Sequence, residues 1–446
     1  MLFNSYEFIF IFLIPVILMY RALHVNYQLK FLVVASIVFY AQWNLVHLGV
    51  LLSSIVINYS FAVWLLKTRY NRNWLVGFMI GFNLLPLAYF KYSYFLHVSD
   101  HSLVLPLAIS FFTFQQIAFL VDTYKGKIKV DGFKEYMFFV LFFPQLVAGP
   151  IVHYNELIPQ IKQPPFLHFS KSDFDAGLVL FSIGLFKKVA LADNLALIAN
   201  SAFSDGGLSS YEAWRGIVAY SFQIYFDFSG YTDMAIALAL FFGIKLPVNF
   251  NSPYKSKNII EFWRNWNITL SNFLKDYIYI PLGGNRVKLA RQAFNLLVTM
   301  GLGGLWHGAG FNFIVWGLAH GVCLAVSHVS RVKLPKYISI VFTFGVVTLL
   351  WVLFRSVNLS SALVYYSVLF DFGSFKFAGF HIEKEFLIIV SFMIVWALPN
   401  SLEFIGYSRD KFTLKLWHSF IGGVLFFLSL KMMASSPAVT FVYFNF

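Results

Sequence analysis

Long charge-poor segments alternate with short polar ones along nearly the whole chain, falling roughly at 5–20, 31–66, 73–96, 102–121, 136–155, 174–200, 214–244, 292–330, 337–356, 357–371, 384–405 and 414–434. A hydrocarbon core of about 30 Å needs roughly 20 mostly apolar residues in one helix. The run 31–66 would reach about 54 Å as one helix at about 1.5 Å per residue, so a turn near Gln42 to Asn44 should split it. The run 292–330 should likewise hold two helices with a turn close to His307. Phe8 to Tyr20 has neither a basic leader region nor a small-residue cleavage site and reads as a first membrane helix rather than a signal peptide.

Two segments break this pattern. Phe142-Phe-Pro-Gln-Leu-Val-Ala-Gly-Pro150 is apolar but carries two prolines and a glycine. Irregular backbone at membrane depth survives only where protein or a water-filled cavity satisfies it, so a re-entrant or kinked segment is expected. Residues 245–291 are polar, basic and dense in Trp, Tyr and Asn. Within them, Ile259 to Ile280 reads as an interfacial helix with Trp263, Trp266, Asn267 and Leu270 on one side.

Composition agrees with the pattern. Hydrophobic residues make up 59% of the chain and charged residues 12%, with a mean hydropathy of +0.71. The apolar runs are continuous and rich in Phe and Leu rather than alternating, which favours helices over a transmembrane barrel. The fold expected is an all-α integral membrane protein: a polytopic bundle of ten to twelve membrane helices, with re-entrant and interfacial helices around a central funnel. No linker or low-complexity stretch divides the chain, so residues 1–446 read as one domain. The net charge of +13 points to cytoplasmic loops and membrane lipid rather than to nucleic acid, because no basic block is interleaved with aromatics. Arg21 and Lys30 flank one loop, Lys67, Arg69 and Arg72 make a second and Lys125, Lys127 and Lys129 a third; all three share one side, the cytoplasm by the positive-inside rule. The single cysteine, Cys323, rules out an internal disulfide and a multi-cysteine metal site, and no metal is expected.

Candidate chemistry centres on Gly301-Leu-Gly-Gly-Leu-Trp-His-Gly-Ala-Gly310. A titratable ring at membrane depth is costly to keep and is a functional-site hypothesis by default. The glycines around His307 add no bulk, which would let a second molecule approach the ring. The competing reading is a histidine that hydrogen-bonds a neighbouring helix. Asn265 and Asn267 sit among tryptophans, where a buried amide must be paired or costs about 1–3 kcal/mol. Asp227 and Asp233 interrupt an apolar stretch; they line a polar funnel or pair with Lys187, Lys188 or Arg264 to hold helices together, and pairing is the favoured reading.

Three segments, Phe262-Trp-Arg-Asn-Trp-Asn267, Asp276-Tyr-Ile-Tyr-Ile-Pro-Leu-Gly-Gly-Asn-Arg286 and Leu305-Trp-His-Gly-Ala-Gly310, follow in order. Together they resemble the membrane-bound O-acyltransferase family. Phe142 to Gln160, Gln223-Ile-Tyr-Phe-Asp-Phe-Ser-Gly-Tyr-Thr-Asp233 and Phe441-Val-Tyr-Phe-Asn-Phe446 are similar to its bacterial branch, which includes alginate O-acetylases and peptidoglycan O-acetyltransferases. The resemblance is dense over residues 100 to 330. It implies that His307 is the active-site histidine and Asn267 its polar partner, with Trp306, His320, Asp227 and Asp233 as supporting candidates. On an ideal helix His320 lies about 220° around from His307, so both face one substrate only if Gly308 and Gly310 break the helix.

The implied activity is transfer of acetyl groups from cytosolic acetyl-CoA, across the bacterial inner membrane, to an extracytoplasmic polysaccharide or to a periplasmic partner of the SGNH, serine-hydrolase-like kind. Lys255, Lys257 and Arg264 are candidates to meet the donor's phosphates, against a plain interfacial role. Acetyl-CoA would be a substrate, with no permanently bound cofactor. Acyl transfer to a hydroxyl needs a base and oxyanion stabilisation, and histidine, with an unperturbed pKa of about 6.5, suits the first. A covalent acyl-histidine remains an alternative. Two other classes compete: a transporter using Asp227, Asp233 and His307 as a proton relay, and a haem electron carrier using His307 and His320 on one helix, which would need a second pair on a facing helix, whereas His153 and His168 flank a proline-rich loop instead.

Overall fold

The computed structural model describes the whole chain except residues 69–70, 97, 99–103, 163–169, 205–207, 331, 333, 376–380, 408–411, 436–440 and 443–446. His168 and most of the C-terminal Phe441–Phe446 motif therefore lie outside the described residues. Among the described residues every regular element is helical. Two compact units emerge. The first comprises residues 1–181, 231–247 and 414–419; the second comprises 182–230, 248–413 and 420–446. Every boundary falls between directly bonded residues, and those at 181/182 and 230/231 lie inside helices. That is why no linker shows in the sequence.

The first unit opens with a π-helical turn, Glu7–Leu13, that runs into α1 (Ile14–Ala22). It continues through α2 (Val25–Ala41), α3 (Leu45–Lys67), α4 (Arg72–Tyr92), α5 (Ile109–Tyr124), α6 (Phe133–Leu141), α7 (Phe143–Leu146), α8 (Tyr154–Lys162) and the first part of α9 (Lys171–Phe186). The expected turn after residue 41 is present: the Asn44 side chain accepts from the backbone N–H of Val46 and His47 and so starts α3. Because lipid is as apolar as leucine, helices in a membrane are held by close packing and polar glue. Asn58 and Asn83 supply it between α3 and α4, each amide donating to the other's carbonyl at 2.8 and 2.7 Å. Gln116 on α5 donates to Ser54 Oγ and accepts from Tyr136 on α6.

The proline-bearing segment at 142–150 is irregular as expected. α6 stops at Leu141, α7 lasts four residues, and the stretch is buried throughout. Its backbone finds partners in the protein: Phe143 N–H donates to Ser36 Oγ, Gln145 N–H to the Phe142 carbonyl and Gly149 N–H to the Gln145 carbonyl, while Gln145 Nε2 caps the Phe139 carbonyl at the end of α6.

The second unit begins with the rest of α9 and a π-helical turn, Lys187–Ala192, then α10 (Asp193–Ser204) and most of α11 (Ser210–Leu240). It continues through α12 (Ile259–Asn265), α13 (Ile268–Leu274), α14 (Leu289–His307), α15 (Phe311–Val329), α16 (Lys336–Arg355), α17 (Leu359–Leu369), α18 (Ile382–Ala397), α19 (Ser401–Phe404) and most of α20 (Leu416–Ser435). Ile259 to Ile280 is thus not one interfacial helix. It breaks at Trp266 and Asn267, and Trp263 and Trp266 are buried rather than forming a surface belt.

Among the described residues, five helices are long and apolar enough to cross a membrane: α3, α4, α15, α16 and α20. Helices such as α11 carry buried carboxylates or are shorter, so length and composition alone do not mark them as spans. Large apolar side chains on α16, including Tyr337, Ile338, Val341 and Phe342, are exposed, as expected for a lipid-facing surface. The chain is a multi-pass, all-helical membrane protein.

Candidate active site

The second unit brings the histidine motif together by ending one helix at His307. Gly308 and Gly310 are both extended, and α15 starts at Phe311. The two helices on either side of this break form a tight hairpin. A Cβ on Gly317 would lie 2.2 Å from the Met300 carbonyl oxygen, and one on Gly304 would lie 2.2 Å from that of Phe313. A Cβ on Gly308 would run into the Phe313 ring. Gly304 and Gly317 therefore let α14 and α15 pack backbone to backbone, and Gly308 makes room for the Phe313 ring. The small-residue rule for membrane helices explains it.

His307 is 3% exposed and sits in an aromatic box. Its ring centroid lies 4.8 Å from Trp306, 5.1 Å from Trp316 and 5.1 Å from Phe354. Asn312, in the first turn of α15, donates to the carbonyls of Leu353 and Ser356 at the end of α16. That bond fastens Phe354 beside the box. Trp351, one turn earlier, packs on Trp266 and donates to Tyr254 Oη, which in turn donates to the Ser221 carbonyl.

His320 also packs on Trp316, with centroids 4.8 Å apart. The helix break places both imidazoles against one indole. A straight helix would not have done so. The same break removes the haem reading, which needed both histidines on one helix. His320 is fully buried, and Trp263 Nε1 donates to its Nδ1 at 3.2 Å. An indole nitrogen can only donate, so Nδ1 is the acceptor and the ring is neutral with its proton on Nε2. That Nε2–H has no hydrogen-bond partner in the protein, and neither has the Nε1–H of Trp316.

Asn267 occupies the two-residue gap between α12 and α13. Trp266 is extended, and Asn267 is left-handed at φ 43°, ψ 56°. Asparagine tolerates this region better than most residues, but it is still strained by about 1 kcal/mol or more. Local wiring enforces it: Asn251 N–H donates to the Asn265 carbonyl, and Ile268 N–H to the Asn249 carbonyl. The Asn249 side chain takes over capping of α13, accepting from the N–H and hydroxyl of Thr269. Asn267 is thereby relieved of the capping role that its position would give it. Its side chain is 2% exposed, and its Nδ2 has no partner. An unpaired buried donor costs about 1–3 kcal/mol, so the protein holds this amide ready at an energetic penalty. Asn267 thus combines strained backbone with an unmet buried donor.

The charged candidates separate. Lys188 Nζ bridges Asp227 at 2.7 Å and Asp193 at 2.8 Å; Lys188 and Asp227 are buried and Asp193 is partly so. Asp227 also accepts from the Val442 N–H at 2.7 Å. The favoured structural pairing of Asp227 is thus found, with Lys188 as the partner. Lys187 instead donates to Ser401 Oγ. Asp233 is buried in the first unit. Lys255 donates to the Leu398 carbonyl. Lys257 lines an apolar groove with Cys323 and Phe342, and Arg264 lines a different cavity of about 420 Å³ with Trp263, Ser271, Asn272, Lys275 and His328. The two cavities share Ile260 in their linings. Among the described residues no cluster of metal-ligating side chains occurs.

Sequence reasoning missed Asn249, Trp263, Trp316, Trp351 and Phe354 as builders of the site. Trp263 stood in a quoted motif, and a donor-only ring in a helix near a buried histidine was the available signal. Nothing in the sequence pointed to Asn249, whose role depends on a chain reversal.

Comparison with known proteins gives the family. The pattern of the membrane-bound O-acyltransferase family, MBOAT, matches residues 127–339. A peptidoglycan O-acetyltransferase of Helicobacter pylori is 46% identical over 415 residues, which cover 81% of this chain and 78% of that protein. A probable alginate O-acetylase of Azotobacter vinelandii is 38% identical over 84% of this chain and 79% of its own length. A teichoic acid D-alanyltransferase of Streptococcus thermophilus is 25% identical over 66% of this chain and 71% of its own length. These relatives move acyl groups, which leaves the transporter reading without support. The chain is an acyltransferase and belongs to the membrane-bound O-acyltransferase family.

Proposed function

We propose that this protein takes acetyl groups from acetyl-CoA at the cytoplasmic face of a bacterial inner membrane and delivers them to an extracytoplasmic glycan. Peptidoglycan is the first acceptor to test, because the relative at 46% identity carries that name while the alginate-named relative stands at 38%. An SGNH or serine-hydrolase-like periplasmic enzyme would complete the transfer where the acceptor is out of reach. The observation that carries the reading is His307 at a helix break, buried among Trp306, Trp316 and Phe354, in the same unit as Asn267 with its unpartnered amide.

In this reading His307 accepts the proton of the attacking hydroxyl and returns one to the departing thiolate. Asn267 supplies hydrogen-bond donors to the reacting oxygen or to the acceptor. The aromatic box excludes water, so that acyl transfer prevails over hydrolysis.

The test is His307→Ala at normal membrane abundance, with alkali-labile acetate measured separately in peptidoglycan and in exopolysaccharide. General-base loss is worth about 10²–10⁴-fold, so acetate should fall to background in one fraction. Acetylation unchanged in both fractions rejects the reading. Loss confined to exopolysaccharide replaces the acceptor and keeps the chemistry.

A further inference from the structure

Among the described residues, the tryptophans around the site divide in a way the base-and-amide mechanism does not use. Trp351 and Trp263 each donate their indole N–H to a defined acceptor, Tyr254 Oη and His320 Nδ1. Trp316, between them and 1% exposed, donates to nothing in the protein. Its neighbour four residues on, His320, is 0% exposed and is left with a free Nε2–H by the bond from Trp263. Residues four apart on a helix share a face, and these two rings are in edge contact at 4.8 Å. Trp316 is also in edge contact with His307. Two buried, adjacent, neutral rings thus offer N–H donors and no acceptor beside the histidine that the acyl-transfer reading makes the base. Unsatisfied buried donors in a native site call for an explanation, and a negative oxygen that exists only during reaction is one.

We propose that Trp316 Nε1–H and His320 Nε2–H form the oxyanion hole of the acyl transfer, with Trp263 as the positioning residue that holds His320 in its donating tautomer. This rests on the acyl-transfer role of His307. The acceptor hydroxyl oxygen adds its lone pair to the thioester carbonyl carbon as its proton passes to His307. The carbonyl π pair moves onto oxygen, where the two N–H groups meet it. The pair then re-forms the carbonyl, the carbon–sulfur bond breaks with its electrons on sulfur, and the imidazolium returns the proton to give free thiol and the new ester. Because neither donor has another partner, no bond must break before the oxyanion is received, which is the condition for effective preorganisation.

The experiment uses inverted membrane vesicles carrying the full chain, with acetyl-CoA titrated and free thiol release followed at equal amounts of monodisperse protein. Trp316→Phe and His320→Leu should each lower kcat by about 10²–10³-fold, the usual effect of losing one oxyanion donor, with KM for acetyl-CoA within about twofold. His320→Gln restores an N–H and should exceed His320→Leu by at least about tenfold on the same principle. Trp263→Phe should lower kcat by roughly tenfold in the wild-type background and have no further effect in the His320→Leu background, because it acts through that ring. Wild-type kcat in Trp316→Phe or His320→Leu overturns the proposal. So does an equal loss from Trp263→Phe in both backgrounds, which is the signature of a packing role. If Trp316→Phe does not fold, the His320→Leu and His320→Gln pair decides. If wild-type vesicles release no more thiol than His307→Ala vesicles, acetyl-CoA is not the donor. The same variants are then scored in cells by ester-linked acyl groups on envelope glycans, with the same ranking expected and equal levels overturning the proposal.

Discussion

Replacing Asn267 by glycine should leave the fold intact or strengthen it while abolishing activity. Asn267 is at φ 43° with an unpartnered, buried Nδ2. Glycine enters the left-handed region freely, which recovers about 1 kcal/mol of backbone strain. Removing the unpaired donor recovers about 1–3 kcal/mol more. Against this stand about 0.5–1 kcal/mol of extra glycine chain entropy in the unfolded state and the packing lost with a small side chain. The net change falls between neutral and a gain of about 2 kcal/mol. Asn267→Ala removes the same amide but keeps a Cβ in the left-handed region, where residues other than Gly, Asn and Asp are penalised by about 1–2 kcal/mol. The predicted order of thermal stability is therefore Gly at or above Asn, with Ala lowest, while both variants lose activity by about 10² or more if the amide meets the reacting oxygen. Thermal unfolding of purified protein, together with alkali-labile acetate on the envelope, reads both quantities. A glycine variant clearly less stable than wild type would show that the amide is a structural bond, and an active glycine variant would remove Asn267 from the chemistry.

Gly317→Ala should cripple the enzyme: its Cβ would lie 2.2 Å from the Met300 carbonyl oxygen, about 1.2 Å inside the 3.4 Å of ordinary contact, so α15 must move off α14. A displacement of about 1 Å at a reacting centre can cost about 10²-fold in rate, whereas Gly345→Ala, with nothing within 4 Å, should be neutral or stabilising by up to about 1 kcal/mol; equal activity for the two variants would refute the hairpin argument. Lys188→Met leaves the buried Asp227 and the partly buried Asp193 without their shared cation and should destabilise by about 3–5 kcal/mol, seen as a large fall in Tm or in membrane abundance; an unchanged Tm would mean that the two carboxylates find other partners.

Much of this architecture was readable one residue at a time. The length of the 31–66 run forced a turn, and Asn44 supplies it. Two prolines and a glycine in an apolar stretch forced irregular backbone at 142–150, and it finds partners in the protein. Gly308 and Gly310 allowed a break beside His307, and the break is there. These are local consequences of helix rise, proline geometry and glycine, so the sequence determined them, along with the ordered motifs that mark the family. Tertiary structure decided the rest because it depends on residues far apart in the chain. Asn249 reaches Thr269 and so frees the Asn267 amide. Trp263 reaches His320 across 57 positions and chooses its tautomer. Lys188 gathers Asp193 and Asp227 from two elements. A helical wheel for 259–280 put Trp263 and Asn267 on one face, and the break at Trp266 undid it. Sequence by itself settled that this is a helical membrane protein and which motifs mark its family. Only the folded chain decided which polar atoms are left without partners, since a hydrogen bond is satisfied or missing only when both of its ends have been placed.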